Sequence, residues 1–464
     1  MFLRQKTPWI KDHETASLVR GWVLLNQALV HITASDSGQA GEKLDQIGAL
    51  PGMPAGLKAE YFLARCNLYN QFNCLEELKQ CLSGLETMAR TDATLPVRAQ
   101  CPYYRASMEA SGGDYQKAAA FYLEALRTQE IRNDRDFTAE IYNDLGFCSN
   151  RMGNSSQAEE YYKISLRLRK ETGNLAGQAE SLNNLGLLYM KAGRFQQSEE
   201  SLREAYDLET MAGDRIGEGY TLLNQGVLAY SRSQFSTAHK HYHRALELRT
   251  SIGDTLGQGY CYTQLAHLSL LLETPEAAQQ NAELARDCFA SSGEAYGASK
   301  MDVLLCNILL ERSQTEKAGE YLDKVAPSGK DQKASRHDQM FMIPRLKLAL
   351  AGGRPEQAEK MWREYLEHDP GYSKSLEGMQ LHGELLCGLG RNDQAREIWH
   401  QALARASEKV LLCEKAKILL CLGGLEPETK AGKDALNEAL GLFKNIGAPY
   451  WERKTKKIMN REAT

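Results

Sequence analysis

No proline occurs between Pro102 and Pro275. Proline breaks helix interiors by removing an amide donor and clashing with the preceding turn, so this stretch is free to form uninterrupted helices. Long apolar runs are missing too. Gly21-Trp-Val-Leu-Leu stops at Asn26, and nothing approaches the ~20 residues that cross a bilayer. Met1 to Ile10 lacks the basic flank, apolar core and small-residue cleavage site of a secretory signal. The expected location is the cytoplasm, with no membrane partner. Cysteine is not scarce, at 11, but no pair stands at Cys-x-x-Cys spacing. That leaves buried reduced thiols as the expectation, with Cys148, Cys261 and Cys306 facing a core. An excess of basic charge is also lacking. The net charge is −4 and the pI about 6.3, where duplex binding calls for a basic face, so no nucleic-acid partner is expected. There is no Gly-x-x-x-x-Gly-Lys-Ser/Thr loop, no Gly-x-Gly-x-x-Gly opening a helix after a strand, and no Gly-x-Ser-x-Gly elbow. No catalytic residue, metal or cofactor is expected, and the chain does not read as an enzyme.

What is present is a repeat. Gly173, Gly213, Gly253 and Gly293 recur every forty residues, and Gly177, Gly217, Gly257 and Gly297 follow four behind. A chain of 464 residues is long for one core, and a period in the 20–50 range signals stacked supersecondary units. With Gly146, Gly186, Gly226 and Ala266 aligned, four units superpose without gaps over 134–293. Small residues then recur at Ala158, Ser198, Ala238 and Ala278, and again at Ser165, Ala205, Ala245 and Ala285. Apolar and small positions lie three, four and seven apart, which is helical periodicity. Each unit reads as two helices, for example 175–191 and 195–212, with small residues letting facing helices approach closely. Glycine at 173, 213 and 253 suits the left-handed end of the second helix. The Asn174, Asp214 or Asp254 that follows suits the cap of the next.

The register extends back to Gly113 and forward to Ala318. Helical stretches are expected at 13–34, 40–48, 56–71 and 74–90, and 434–459 is an amphipathic stretch that ends the array. Arg354-Pro-Glu-Gln-Ala358 and Arg391-Asn-Asp-Gln-Ala395 each read as a turn before a second helix. The expected organisation is divergent N-terminal hairpins over 1–101, the regular array over 102–325, a polar linker at 326–336 and divergent hairpins with a capping helix over 337–464. Ser233, Glu273 and Ser313 stand where Gly153 and Gly193 mark the mid-unit turn. Altered turns are expected there.

Asn184-Leu185-Gly186-Leu187-Leu188-Tyr189, then Gly193, Ser198, Leu202 and Ala205, resembles the tetratricopeptide repeat. The forty-residue form with Gly-Asp between units is similar to the arrays of kinesin light chain, of the maltose-regulon activator type of sensor, and of spindle-orientation adaptors. The resemblance implies an all-α fold, a right-handed solenoid of stacked antiparallel helix pairs. It also implies protein or peptide binding, and a peptide held on an asparagine ladder.

Stacked hairpins line their concave wall with the first helix of each pair, and one stripe of that helix, i, i+4, i+7, i+11, avoids the packed positions. It reads Glu140, Asp144, Phe147, Arg151; then Glu180, Asn184, Leu187, Lys191; then Tyr220, Asn224, Val227, Ser231; then Tyr260, Gln264, His267, Leu271. Asp144, Asn184, Asn224 and Gln264 can all hydrogen-bond a peptide backbone. Glu140, Glu180, Arg151 and Lys191 supply charge, and Tyr220 and Tyr260 are the aromatic anchors. A wet wall prefers polar residues whatever it binds, so a ladder and a merely solvated wall both fit. His239 and His243 share a helix face but have no third ligand, which reads as surface. His382 and Cys387 point apart on one helix. Arg453-Lys-Thr-Lys-Lys457 complements a helix C-terminus. The expected function is a scaffold or adaptor that holds a peptide or protein segment in the groove. The alternative is a sensor whose superhelix binds a small molecule or peptide and controls an effector in trans.

Overall fold

The computed structural model describes residues 13–33, 37–71, 74–91, 100–128, 134–272, 274–325, 340–408 and 411–460. Among them are 23 α-helices and no strand. The protein is all-α, built of helix pairs stacked in sequence. The expected linker at 326–336, the start at 1–10 and Glu273 lie outside the described residues. The chain divides into two compact units, Met1–Leu188 and Tyr189–Thr464.

The first unit begins with α1 (His13–Thr33), α2 (Ser37–Gly48), α3 (Ala55–Gln71) and α4 (Leu75–Thr91). All four fall on stretches expected to be helical. Then come α5 (Gln100–Gly112), α6 (Tyr115–Arg127), α7 (Arg135–Arg151), α8 (Ser155–Thr172) and α9 (Leu175–Lys191), whose last turn belongs to the second unit. Leu78, Leu82, Leu85, Tyr103, Tyr104, Tyr122 and Ile141 share one core. The second unit continues with α10 (Phe195–Ala212), α11 (Arg215–Ser231), α12 (Phe235–Ser251), α13 (Thr255–Leu272), α14 (Pro275–Ser291), α15 (Ala295–Glu311) and α16 (Thr315–Val325). It ends with α17 (Met342–Ala351), α18 (Pro355–His368), α19 (Leu376–Gly388), α20 (Asn392–Glu408), α21 (Leu412–Leu425), α22 (Lys430–Ile446) and α23 (Pro449–Met459).

The turns follow from the residues that recur. Gly173, Gly213, Gly253 and Gly293 all hold φ between 69° and 73°. The next side chains, Asn174, Asp214, Asp254 and Glu294, accept from the amides of Gly177, Gly217, Gly257 and Gly297 at 2.9, 2.9, 2.8 and 3.1 Å. The second glycine of each set has a separate reason. Arg169, Glu209, Arg249 and Phe289, again forty apart, are buried in the last turn of the preceding helix. A Cβ at Gly177 would lie 2.7 Å from Arg169 Cδ, at Gly217 3.0 Å from Glu209 Cγ, at Gly257 1.7 Å from Arg249 Nη1 and at Gly297 2.9 Å from the Phe289 ring. A side chain in the first turn of the next helix would occupy the same space.

Inside the pairs, small residues seat large ones. A Cβ on Gly146 would come within 2.6 Å of the Tyr162 ring, and one on Gly226 within 2.4 Å of the Tyr242 ring. Cys148, Cys261 and Cys306 are fully buried, and all 11 cysteines are free thiols.

Two expectations are corrected. Ser233 and Ser313 do not alter their turns. Both take left-handed φ, 58° and 57°, as Gly153 and Gly193 do at 84° and 75°. The closing bonds are also the same: Gln234 N to Ala229 O and Gln314 N to Leu309 O match Arg194 N to Tyr189 O, all 2.8–2.9 Å. Packing of the flanking helices overrides a left-handed cost of about 1–2 kcal/mol. Residues 434–459 are not one stretch either. Gly447, at φ 69°, ends α22, and Pro449 starts α23.

Candidate functional site

In the first unit the expected stripe carries a connected polar network. The Tyr103 hydroxyl donates to Glu140 Oε1 at 2.8 Å. Asn143 Nδ2 donates to Glu180 Oε1 at 2.9 Å, and Asn184 Nδ2 donates to Asn143 Oδ1 at 3.0 Å. Arg169, buried beneath, pairs with Glu180 Oε2 at 2.8 Å and donates to Gly177 O at 2.6 Å. The stripe thus brings Glu140, Asp144, Glu180 and Asn184 together, with the Asn184 amide engaged inside the unit. Burial and the carboxylates of Glu140 and Glu180 push the Asp144 carboxyl up to about 8. Burial also raises Glu140, which keeps solvent access while surrounded by protein. Arg151 stands at the other end of α7, its Nε donating to the Tyr115 hydroxyl at 3.1 Å. Tyr103, Tyr122 and Asn143 were not legible as site residues. Asn143 lies beside Asp144 but on the side of the helix that reads as packed.

In the second unit the stripe runs over α11 and α13. Tyr220 is 42% exposed and Tyr260 37%. The Tyr220 ring centroid lies 4.3 Å from the guanidinium of Arg249. Arg249 is fully buried and holds Asp254 Oδ2 at 2.5 Å. Tyr260 meets Phe289 edge-on at 5.2 Å. The residues under Gly257 and Gly297 therefore also support the two exposed tyrosines. Asn224 and Gln264 are half-buried beside them, and Gln264 makes no hydrogen bond among the described residues. Lys191 is exposed.

The same register continues beyond the strict repeat. Adding forty to Gln264, His267 and Leu271 gives Leu304, Asn307 and Glu311 on α15. Adding forty again gives Pro344, Lys347 and Ala351 on α17. Of these, His267, Leu271, Leu304, Asn307, Glu311, Lys347 and Ala351 line one cavity of about 580 Å³. Glu377, Gln380 and Glu384 of α19, Lys417 of α21, and Tyr450 and Trp451 of α23 complete its wall. Every helix contributing a charged lining residue is the first of its pair or α23. An adjoining pocket of about 350 Å³ shares Lys347, Glu384, Lys417 and Trp451.

The helix α23 folds back to form part of the wall of this hollow. The Tyr450 hydroxyl donates to Glu311 Oε1 at 3.0 Å, and Lys454 also binds Glu311. Trp451 stacks on Phe443 of α22 at 5.7 Å, and the ammonium groups of Lys417 and Lys454 stand 5.0 and 4.8 Å from its ring centroid. The basic run 453–457 is thus more than a solvated helix end, since Lys454 is ion-paired and Thr455 buried. Burial raises Glu311, but its Lys454 and Tyr450 partners outweigh this and hold its carboxyl below the usual range. Burial, with Lys417 nearby, lowers His267, keeping it neutral. Burial raises Glu384.

Residues 98–171 and 177–251 match the tetratricopeptide repeat family, so this part of the chain carries tetratricopeptide repeats. No curated protein matches the sequence. Among solved structures, a Rap protein complexed with Competence and Sporulation Factor is 15% identical with a TM-score of 0.55, over 84% of this chain and 99% of that one. The apo quorum sensor NprR from B. thuringiensis is 15% identical with a TM-score of 0.49, over 75% of this chain and 97% of that one. NprR in complex with its cognate peptide NprX is 12% identical with a TM-score of 0.45, over 83% and 98%. At 15% identity the likeness to the Rap protein is one of fold. Among the described residues, no helix is long and apolar enough to cross a membrane.

Proposed function

We propose that this protein binds a peptide or protein segment on the faces of its first helices and does no chemistry of its own. The observation that carries the reading is the stripe on α11 and α13. There, two half-exposed tyrosines stand on rigid buried supports, and the amides of Asn224 and Gln264 lie one turn further along each helix. A backbone hydrogen bond to such an amide contributes only about 0.5–1.5 kcal/mol net, so Tyr220 and Tyr260 would supply much of the affinity. The Rap protein, similar in fold, is described in complex with Competence and Sporulation Factor, which agrees with a repeat array that holds a ligand. In the first unit Asp144 and Asn184 hold the equivalent positions of the repeat, with Glu140 and Glu180 giving that stripe acidic character.

The test is affinity purification from the native cell with the wild type and with Asn224→Ala plus Gln264→Ala, the helical signal being checked on both. The double variant is expected to lose the captured partner. An unchanged partner set would refute the reading. The second reading, a sensor that controls an effector in trans, is favoured by one observation: the second unit contains a half-open hollow of a size that suits a small ligand.

A further inference from the structure

The hollow of the second unit presents two opposite charges that the protein leaves unpaired. Lys417, half-buried on α21, has no carboxylate within ion-pair distance among the described residues, and its ammonium rests on the Trp451 ring. Glu384, on α19, accepts only from the Gln380 amide at 3.1 Å and has no cation partner. Both line the cavity and its side pocket. Their helices are in contact, yet the two groups do not meet. An ion pair there is loose, with Lys347 Nζ 3.8 Å from Glu377. By contrast Glu311 and Lys454, on the same wall, are fully matched.

Lys417 is half-buried, and Glu384 keeps solvent access while surrounded by protein; charges held partly away from bulk water are costly unless something complements them. We infer that the hollow is a binding site for a small zwitterion, whose ammonium meets Glu384 and whose carboxylate meets Lys417. The proposal rests on the sensor reading above and names the chemistry of its ligand. A cavity of about 580 Å³ lies within the ~300–1,000 Å³ of small-molecule sites, which suits a free amino acid or a short peptide with both ends unblocked. Leu270, Leu304 and Leu350 offer apolar contact for the ligand's body, and Trp451 a flat face. The arrangement also selects against rivals. A dianion would set one carboxylate against Glu384, and a dication would set one ammonium against Lys417. Since Tyr450 and Trp451 form part of the wall, α23 must be docked for the site to be complete.

Equilibrium dialysis of the full chain tests this, with retained ligands read by mass spectrometry. One arm offers the twenty free L-amino acids and a second a pool of random tripeptides with free ends. A third offers the same tripeptides N-acetylated and C-amidated. At least one free-ended arm is expected to show retained members, and which arm does so identifies the source. Blocking the ends should cut retention at least tenfold. Lys417→Met and Glu384→Gln should each do the same with the helical signal intact, and Lys417→Arg should restore binding. Three results would each overturn the site: no retention in either free-ended arm, equal retention of the blocked pool, or retention unaffected by Lys417→Met. If the zwitterion fails while Asn224→Ala plus Gln264→Ala still abolishes partner capture, only the hollow is wrong and segment binding stands.

Discussion

At the scale of single residues, the repeat is a set of reciprocal fits. Gly253 and Gly257 show two different demands for glycine. Gly253 has open space around a would-be Cβ but a φ of 72°, whereas Gly257 has an ordinary helical φ and no space. Gly253→Ala should cost about 1–2 kcal/mol of left-handed strain. Gly257→Ala must dislodge the buried Arg249–Asp254 pair and should cost about 3–5 kcal/mol. Denaturant midpoints of the two variants measure this directly, and equal losses would contradict the account. Asp144 makes a pH prediction. Its folded carboxyl titrates near 8, against about 3.9 when unfolded. The folded state therefore keeps its proton longer, and stability falls as pH rises from about 4 to 8, then levels off. Asp144 retains partial solvent contact, so the effect is discounted to roughly 1–3 kcal/mol. Asp144→Asn should match the wild type near pH 4 and exceed it by that amount at pH 8.5. A variant no more stable at pH 8.5 would show that the carboxyl ionises freely. The caps and the paired glycines were legible because they act within a few residues. Ser233 and Ser313 were misread because their neighbours, and not their own preference, set the backbone.

At the scale of elements, legibility followed amphipathic period and punctuation. The first four helices lie on the expected stretches even without a strict repeat, because their apolar spacing is local information. The division of 434–459 was also written locally, in Gly447 and Pro449, and was hidden by a shared amphipathic character. What could not be read was where α23 docks. Tyr450 and Glu311 are 139 residues apart, and no spacing rule links them. This docking is testable. Trp451 is only partly buried, so Trp451→Ala should cost about 1–2 kcal/mol, less than a fully buried tryptophan. It should also speed hydrogen exchange in α13 and α15, two of the helices that α23 touches or bonds, relative to α11. Unchanged exchange in α15 would mean that the Glu311 contacts do not hold α23 in place.

At the scale of the molecule, the family and the helix-pair architecture were open to sequence reading, because a period repeated four times outweighs any single ambiguous position. The candidate site was only half open. The stripe lies on the first helix of each pair, and its register leads to Asn307 and Lys347. It was followed only as far as Leu271, because beyond that point the polar second position becomes Leu304 and then Pro344 and the ladder disappears. Glu384, Lys417 and Trp451 sit outside the forty-residue phase and became visible only through tertiary structure.

The return of α23 to Glu311 also imposes an order in time. A ribosome that has just made Glu311 must add 139 more residues before Tyr450 exists, which at about 5–20 residues per second takes roughly 7–30 s. Throughout that interval a growing chain already displays Tyr220 and Tyr260 but has no finished chamber. Newly made molecules thus carry the exposed tyrosines of the proposed segment site well before the hollow has its last wall.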